Sequence, residues 1–419
     1  MRFQRSTFLG AACLAMVSAV CAQEDATAEA DAAGIRAGDG AARWQPSIEF
    51  RSDTRTNFYY QSAGYEETGT SLVLTPKVRF VTGNDQHKFD ALASASAATV
   101  STSSKDGYVD GQLGLKHVWS PLNSFSLQTK VGAQHGHDPF GVNRTDAPAL
   151  TLAGKVANAN LDIWDLFDGS ATLRFGRPEA IVNLETEFSA NAKIYSSNKS
   201  LTQGLEYGQE RGRFAGFLNY SDKTALVVEG IFENTHFYDS ASASRDATEV
   251  RVRGGVRYQA TGKTRADVRV GQFTRMSKTT GVADVDGVDY AASITWAPEE
   301  HYNFTVEAGR SSIPGYNSVG LTQVSFNDTD NVLVGWSQNW TDRFNTTLSA
   351  KYSYISFETP NGAGTRIDEI YEPGLRGSYE IGRHLFLTAS AAYTDRQSDT
   401  PSAEYDAAQF QAGARYDFF

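Results

Sequence analysis

The chain has 419 residues and a formal net charge of −11, with abundant Tyr and Phe and few Pro. This acidic balance and the lack of any long basic block argue against a nucleic-acid partner. Beyond the N-terminus, no run of residues approaches the roughly 18 consecutive apolar residues of a membrane-spanning helix. Any membrane crossing would therefore use strands.

The N-terminus predicts a cleaved secretory signal peptide, residues 1–22. Arg2 and Arg5 supply its charged end, and Thr7–Val20 supplies its apolar stretch, with a cut after Ala22. A permanent membrane anchor is the alternative, but the apolar stretch is short and acidic residues follow at once. Lipidation of Cys21 is disfavoured, because the residues before it suit a lipoprotein signal poorly.

Both cysteines, Cys13 and Cys21, fall within this signal. The mature chain is therefore predicted to contain no thiol, no disulfide and no cysteine-ligated metal. Residues 23–43 consist mainly of Ala, Gly, Asp and Glu, a composition that predicts a disordered acidic periplasmic tail. The domain proper is predicted to span residues 44–419.

From Trp44 onward, nearly every segment alternates between apolar and polar residues. A period of two is typical of a strand with one apolar face and one polar face. The last strand shows the pattern clearly, since its apolar positions are Phe410, Ala412, Ala414, Tyr416 and Phe418. No helical period of similar length occurs after the N-terminus, so the sequence predicts an all-β domain.

Short turns recur about every 40 residues and alternate with longer polar segments, a period that propeller blades also show. The strands between them are too long for four to fit in each repeat, so two strands per repeat is the better interpretation. In outer-membrane barrels the short turns are periplasmic and the long loops extracellular. The short turns lie near residues 83–86, 120–123, 177–180, 221–224, 261–264, 299–301, 341–344 and 381–384.

The predicted fold is a transmembrane antiparallel up-and-down β-barrel of about 18 strands, with 16 as the alternative. Such a barrel is wide enough for an aqueous or plugged lumen. Residues 136–162 are predicted to form its longest extracellular loop. Aromatic residues at the short-turn ends predict an interfacial girdle, formed by Trp119, Tyr220, Trp296, Tyr302, Trp336, Trp340 and Phe344.

These features, together with the ending Tyr416-Asp-Phe-Phe419, resemble the outer-membrane β-barrel porin family associated with exopolysaccharide biosynthesis and export operons. The segment from Ala171 to Ala180, A-T-L-R-F-G-R-P-E-A, resembles the mid-barrel turn of that family. The resemblance covers residues 44–419. It implies a barrel that serves polysaccharide export or biosynthesis, with outer-membrane lipid, anionic polysaccharide and periplasmic export machinery as partners.

The C-terminal strand also predicts recognition by the barrel-assembly machinery. Outer-membrane proteins usually place the terminal Phe in register with the lipid-facing residues. In this chain Phe418 is in register and Phe419 lies one residue beyond.

A stripe of charged residues is the most informative candidate site. Alternation with outward Val and Tyr residues predicts that two adjacent strands turn arginines into the lumen. The predicted pore-lining and ligand-guiding residues are Arg251, Arg253, Arg257, Arg265 and Arg269, with Glu249 and Asp267. Arg211 and Arg213 extend the stripe from an earlier strand. Guanidinium groups offer several donors in a fixed plane to carboxylates and sugar hydroxyls.

The alternative for this stripe is an ion-pair ladder. Glu229, Glu233, Glu249 and Asp267 share the same or neighbouring lumen faces and could neutralise the arginines. The two interpretations are compatible, because opposing charge ladders shape the field inside a pore.

The histidines predict neither catalysis nor a metal site. His135, His137 and Asp138 could offer three ligands, but they are expected in a polar loop without a fourth partner. A hydrolase would need a Ser or Asp activated by a His within hydrogen-bond reach, and the remaining histidines are poorly placed for that. We therefore expect no enzyme activity, no metal and no cofactor.

Three functions remain open. A polymer-export porin predicts an arginine stripe that lies free along the lumen. A general diffusion porin predicts trimers, an inward-folded constriction and steady ion conductance. A structural or enzymatic barrel predicts a plugged lumen or a polar catalytic cluster at the outer rim. Of these, passive export of exopolysaccharide is favoured by the resemblance.

Overall fold

The structure is a computed structural model, and it describes residues 34–36, 41–138, 160–177, 179–261, 263–279, 283–314, 326–358 and 366–419. The predicted signal peptide lies outside these ranges. Most of the predicted acidic tail and the centre of the predicted 136–162 loop also lie outside them.

Eighteen long strands, numbered β1 to β18, make up nearly all of the described chain. Each is 13 to 16 residues long. They are β1 Arg43–Arg55, β2 Gly69–Gly83, β3 His87–Val100, β4 Tyr108–Leu122, β5 Phe125–His137, β6 Ile163–Phe175, β7 Val182–Tyr195, β8 Tyr207–Asn219, β9 Thr224–Phe237, β10 Ala247–Thr261, β11 Thr264–Ser277, β12 Val285–Glu299, β13 Tyr302–Pro314, β14 Phe326–Thr341, β15 Phe344–Glu358, β16 Arg366–Ile381, β17 Leu385–Ser398 and β18 Tyr405–Asp417.

Each strand pairs antiparallel with the next, and β18 pairs antiparallel with β1. In this closing pair Tyr416 lies opposite Ile48 and Gln409 lies opposite Arg55. The sheet is therefore a closed up-and-down barrel. The predicted fold class and the count of 18 are confirmed, and the alternative count of 16 is wrong.

The period of two sorts side chains to the two sides of the barrel wall. On β10 and β11, Val252 and Val270 point outward and are 58% and 60% exposed, whereas Glu249 and Asp267 point inward and are buried. The same sorting holds on β18, where Phe410 and Phe418 are exposed on the outside. The apolar residues thus cover the outer surface, and the polar residues line the interior.

The connections alternate between short turns at one end of the barrel and longer segments at the other, as predicted. Short helical segments occupy the long-loop end, at Ser104–Asp106, Lys199–Thr202, Gln203–Leu205, Ser240–Arg245 and Pro401–Ala403. Among the residues that the structure describes, no helix is long and apolar enough to cross a membrane.

The segment after β1 folds against the long-loop end of the barrel. Phe58 and Tyr59 pack with Val100 and Leu161 in a small apolar cluster. The Tyr59 hydroxyl donates a 2.5 Å hydrogen bond to Asp106. Burial, followed by this hydrogen bond, raises the pKa of Tyr59, so its phenol remains a donor at physiological pH.

A two-residue strand lies within the predicted tail. Ile35 pairs with Trp44, and Arg36 pairs with Arg43. On its other edge β1 is paired with β2 over its whole length. The short strand therefore lies on the β18 side of β1, beyond Ser47, where the pairing with β18 ends.

The ladder between β12 and β13 ends early. It runs from Glu299 opposite Tyr302 to Ala291 opposite Gly309, although β12 extends to Val285 and β13 extends to Pro314. On their other edges both strands stay paired to their ends, β12 with β11 and β13 with β14. The long-loop ends of β12 and β13 are thus separate from each other.

Candidate functional site: a charge-paired wall of the lumen

The inner faces of β7 to β14 carry a continuous set of arginines and carboxylates, here named the arginine wall. Alternation with outward apolar residues turns these side chains into the lumen. Its arginines are Arg213, Arg251, Arg253, Arg257, Arg269 and Arg275, and its carboxylates are Glu185, Glu229, Glu249, Asp267, Asp289 and Asp328.

Asp289 lies at the centre of the arginine wall and is 0% exposed. Arg251 donates to it from Nη1 at 3.1 Å, and Arg253 donates from Nη2 at 2.9 Å and also from Nε. Both arginines are on β10, two strands away from β12. The Asp289 carboxylate therefore links strands that are not neighbours.

Glu229 on β9 and Asp267 on β11 form the short-turn half of the wall. Glu229, 2% exposed, accepts a 2.9 Å hydrogen bond from Arg269 Nη1 and another from Arg213 Nε. Asp267 accepts from Arg269 Nε and Nη2, both at 2.7 Å, and from Arg257 Nε at 2.9 Å. Arg269 consequently bridges the two carboxylates.

The wall extends towards the long-loop end through Arg275. Its Nε donates to Glu249 at 2.9 Å, and its Nη2 donates to Asp328 and to the Ser312 hydroxyl, each at 2.5 Å. Arg251 also donates to Ser312, at 3.0 Å. Because Ser312 and Asp328 lie on β13 and β14, the end of this hairpin leans across β12 towards the inner faces of β10 and β11.

Two lumen-facing glycines let the arginine side chains lie flat against the wall. A Cβ at Gly271 would stand 1.7 Å from the Val252 carbonyl oxygen. A Cβ at Gly255 would stand 2.1 Å from the Val268 carbonyl oxygen and 2.9 Å from Arg269 Cγ. Since real side chains do not approach so closely, only glycine fits between these arginines.

Aromatic rings also pack against two of the guanidinium groups. Arg257 lies over Phe217, with Cζ 4.3 Å from the ring centroid, and Arg275 lies over Phe326 at 4.2 Å. Such cation–π contacts are worth about 0.5–2 kcal/mol, depending on desolvation. Charge pairing and stacking together restrict the rotamers of these side chains, so the wall is a rigid surface.

The electrostatic consequence is a lumen wall in which charges cancel locally. Removing an ion from water costs several kcal/mol, and a partner in good geometry offsets that cost. Here each arginine lies within hydrogen-bond distance of a carboxylate, and most side chains of the wall are at most about a tenth exposed. The wall therefore offers few free charges to a passing solute.

The C-terminal half of the chain matches a known family. Residues 220–418 match the model of a family described as "Putative beta-barrel porin 2". That segment contains β9 to β18 and most of the arginine wall. A closed barrel of long strands with an apolar exterior and a polar lumen is the architecture by which strands cross a bilayer. The chain is a porin-like outer-membrane β-barrel.

Solved outer-membrane barrels resemble this barrel at low sequence identity. The outer-membrane protein OpdK of Pseudomonas aeruginosa is 10% identical, with a TM-score of 0.47, over 90% of this chain and 98% of that one. OccAB3 of Acinetobacter baumannii is 9% identical, with a TM-score of 0.47, over 90% and 99%. The FrpB iron transporter of Neisseria meningitidis is 10% identical, with a TM-score of 0.47, over 93% and 82%. A comparison with curated proteins by sequence gave no match.

In outer-membrane barrels the short turns are periplasmic and the long loops are extracellular, which assigns the two ends of this barrel. Near the short turns, the rings of Trp296 and Phe304 stack at 5.3 Å, and those of Phe304 and Trp336 stack at 6.4 Å. Tyr220 and Trp340 are exposed nearby. These aromatics lie at the position expected for a periplasmic interface.

A second buried charge cluster lies at the extracellular end of β16 and β17. Asp368 accepts from Arg366 Nε at 2.9 Å and Nη2 at 2.6 Å, from Arg396 Nε at 2.9 Å and from the Ser398 hydroxyl at 2.5 Å. Arg366 also stacks on Phe357, with Cζ 4.5 Å from the ring centroid. This cluster holds the extracellular ends of β16 and β17 together at the rim of the lumen.

The structure brings most of the predicted stripe together as an ion-pair ladder. Arg251, Arg253, Arg257 and Arg269 face inward with Glu249 and Asp267, but each of these arginines is paired with a carboxylate. Arg265 lies on the same face of β11, opposite Gln259 near the short turn. Arg211 lies opposite Glu233. The expectation of a stripe that lies free along the lumen is not met.

The predicted loop position of the histidines is wrong. His135 and His137 lie on β5, where each Nδ1 is within 3 Å of an aspartate, Asp165 and Asp110 respectively. Asp138 instead accepts from Lys193 Nζ at 3.0 Å and from the Tyr195 hydroxyl at 2.8 Å. Within the described ranges, no group of three or more His, Cys, Asp and Glu residues is placed to hold a metal ion.

Several residues of the site are absent from the sequence-based prediction. Asp289 is the most central of them, and its inward direction follows from the alternation on β12. Ser312 and Asp328 could not be found in this way, because they occupy the alternation positions that point outward elsewhere on β13 and β14. The inward lean of the hairpin turns them towards Arg275.

Proposed function

We propose that the barrel is a passive conduit for small hydrophilic solutes, without catalysis and without a cofactor. The observation that carries this proposal is the arginine wall, where each arginine forms an ion pair with a carboxylate. A rigid wall of opposed charges orients polar solutes in the lumen field but binds none of them tightly. Weak binding is what rapid passive permeation requires.

The leaning end of the β13–β14 hairpin supports this function. Ser312 and Asp328 reach over β12 to Arg251 and Arg275, and we propose that the hairpin thereby narrows the lumen from the extracellular side. A narrowing fixed by ion pairs would limit solute size. It would also disfavour a bulky polymer with many negative charges, since the arginines that could guide it are already paired.

Export of exopolysaccharide is the second candidate function. The resemblance of the sequence to porins of exopolysaccharide operons favours it, and so does the chemistry of the lumen wall outside the arginine wall. The inner faces of β2 to β5 present hydroxyl and amide groups, among them Ser71, Thr75, Ser96, Gln112 and Gln128. Such groups can exchange hydrogen bonds with sugar hydroxyls, and Arg251, Arg253, Arg257, Arg265 and Arg269 would then guide the polymer.

The first experiment compares the two functions in a strain that lacks the gene. Secreted polysaccharide, polysaccharide retained in the periplasm and the influx of small sugars are measured before and after complementation. Reduced sugar influx with unchanged secretion supports the diffusion porin. Lost secretion with periplasmic retention supports export and overturns the diffusion proposal.

Purified protein gives an independent test in proteoliposomes. Swelling rates with neutral sugars of increasing size should fall steeply beyond a size limit set by the narrowing. A variant with Arg251, Arg253 and Arg269 each changed to Glu, compared with the unchanged protein, tests whether the paired wall matters. Proteoliposomes that are impermeable to all the sugars would contradict a diffusion function.

A further inference from the structure

Among the residues that the structure describes, the early end of the β12–β13 ladder leaves two strand edges without ladder partners. A continued ladder would place Arg310 opposite Tyr290 and Ser312 opposite Val288, but pairing stops at Ala291 and Gly309. We name this gap, between Val285–Tyr290 and Arg310–Pro314, the seam. Unpaired backbone groups are costly at membrane depth, so the edges of the seam need other partners.

Two arginines supply those partners from opposite sides of the wall. From the lumen, Arg251 Nη1 donates to the Arg310 carbonyl oxygen at 3.2 Å. From the outer face, Arg310 Nη1 donates to the Val288 carbonyl oxygen at 2.9 Å. Asp330 holds Arg310 in place through hydrogen bonds of 2.7 and 2.6 Å, and it also accepts from the Tyr290 hydroxyl at 2.9 Å. Side chains rather than backbone therefore close the seam.

The seam joins the lumen to the outer half of the membrane. Asp289, on its inner side, is fully buried in the arginine wall, whereas Val288, on its outer side, is 57% exposed. At a rise of about 3.3 Å per residue and a tilt of about 45°, Tyr290 lies roughly 14 Å above Trp296 of the periplasmic girdle, and Val285 lies roughly 26 Å above it. An apolar band about 25 Å tall places the seam in the outer leaflet.

Among the described residues, side-chain contacts take the place of the ladder along the seam. Separating a laddered stretch of the same length would break a row of backbone hydrogen bonds. Separating the seam breaks the contacts of Arg251 and Arg310 with carbonyl groups, the Tyr290–Asp330 hydrogen bond, and the bonds that Ser312 and Asp328 accept from Arg251 and Arg275. Arg251 and Arg310 each keep a carboxylate partner when the seam separates, and the N–H group that each releases from a neutral carbonyl can form a stronger hydrogen bond with an anion. The groups that close the seam are therefore suited to bind an anionic head group.

We propose that the seam opens laterally and admits anionic amphiphiles from the outer leaflet into the lumen. The occupant has an acyl chain, which passes the outward Val288 and Tyr290, and a carboxylate or phosphate head, which Arg310 and then Arg251 bind. Both features follow from the position of the seam between hydrocarbon and a polar lumen. This route is independent of the axial passage of hydrophilic solutes.

Photo-crosslinking in nanodiscs tests the route with two probes, a diazirine fatty acid and a diazirine phospholipid. Adducts are mapped by mass spectrometry to lumen-facing residues near the seam, such as Asp289 and Ser311, and to outward residues such as Val306. Tyr290→Cys with Arg310→Cys, which lie at outer-face positions next to the last ladder pair, Ala291 and Gly309, gives a disulfide that locks the seam, and the reduced form of the same variant shows the effect of the substitutions alone. Ala292→Cys with Ala308→Cys, a registered pair in the intact ladder of the same strands, is the matched control.

The expected result is lumen adducts in the unmodified barrel and in the control pair, and their loss in the locked pair, with outward adducts unchanged. The probe that gives lumen adducts identifies the source as free fatty acid, phospholipid or both. Lumen adducts absent from the unmodified barrel, or unaffected by the lock, would overturn the proposal.

A second comparison does not depend on disulfide formation. Tyr290→Phe removes the hydrogen bond to Asp330 across the seam, keeps Arg310 in place to bind the head group, and should increase lumen adducts severalfold. Tyr352→Phe removes a similar bond, to Glu369, between two strands with a complete ladder and should leave the adducts unchanged. An equal effect of both substitutions would show that general loosening, not the seam, admits the probe, and would overturn the proposal.

Discussion

Arg275 of β11 and Asp328 of β14 form an ion pair across two intervening strands, with Nη2 and Oδ1 2.5 Å apart. The neighbouring strands of a barrel are held by backbone ladders, but only side chains can connect strands that are not adjacent. This pair therefore fixes how far the end of the β13–β14 hairpin leans over the lumen.

Asp328→Ala should release the hairpin end and raise the single-channel conductance in planar bilayers. The substitution removes one of the two carboxylates that neutralise the buried Arg275 guanidinium. Breaking a buried ion pair lowers the free energy of unfolding by about 3–5 kcal/mol. On gels of samples heated to increasing temperatures, the folded band should accordingly disappear at a lower temperature than in the unchanged protein. Asp90→Ala, which breaks the more exposed pair with Arg79, should cost about 1 kcal/mol or less. Conductance that is unchanged in Asp328→Ala would contradict the role of the hairpin as a narrowing.

Asp289→Asn should shift the ion selectivity of the pore towards anions. The amide keeps the shape of the carboxylate, but Arg251 and Arg253 lose the charge that they share. The reversal potential in a KCl gradient measures this shift. Asp286→Asn is the control, because Asp286 is exposed on the outer face of the same strand and accepts from Thr274. Equal reversal potentials in the two variants would refute a lumen effect of Asp289.

Gly271→Val should prevent normal assembly of the barrel. Its Cβ would collide with the Val252 carbonyl oxygen, and only a shift of the β10–β11 pair could relieve the clash. The control is Gly254→Val, at an outward position with nothing within 4 Å of the added Cβ. Heat-modifiable gel mobility should show a folded band for Gly254→Val and little or none for Gly271→Val. A normal folded band in both would mean that the wall tolerates a side chain at Gly271.

Phe418→Ala should reduce the amount of barrel in the outer membrane more than Phe410→Ala does. Both residues are exposed on the outer face of the C-terminal segment, 53% and 55% respectively, so both substitutions lose similar lipid contact. We predict that the assembly machinery recognises the short-turn end of β18, and only Phe418 lies there. Quantitative immunoblots of outer-membrane fractions provide the comparison, and equal reductions would argue against a recognition signal at this end of the strand.

Local alternation was sufficient to predict the strands, the turns and the closed barrel. The reason is physical: a strand between hydrocarbon and water must separate apolar from polar side chains at every second residue. The same rule correctly predicted that the side chains of Arg251 and Arg269 point into the lumen. It could not reveal their partners, since Arg251 and Asp289 are separated by 38 residues in sequence.

The rule also failed where the backbone itself changes direction. Ser312 and Asp328 occupy outward alternation positions, and the lean of their hairpin turns them to the lumen arginines. Likewise His135 and His137 lie beyond the clear alternation of β5, among polar residues that suggested a loop. Both features depend on contacts between strands, which a pattern within one strand does not contain.

The closing pair of β1 and β18 has a kinetic consequence. Its contacts join residues that are far apart along the chain, such as Thr56 and Ala408, which are 352 residues apart. Bringing such distant segments together costs entropy that only a nearly complete sheet can repay. The barrel can therefore close only after its final strand has been delivered, and a chain interrupted before β18 would keep an open edge on β1 exposed to pairing with other molecules.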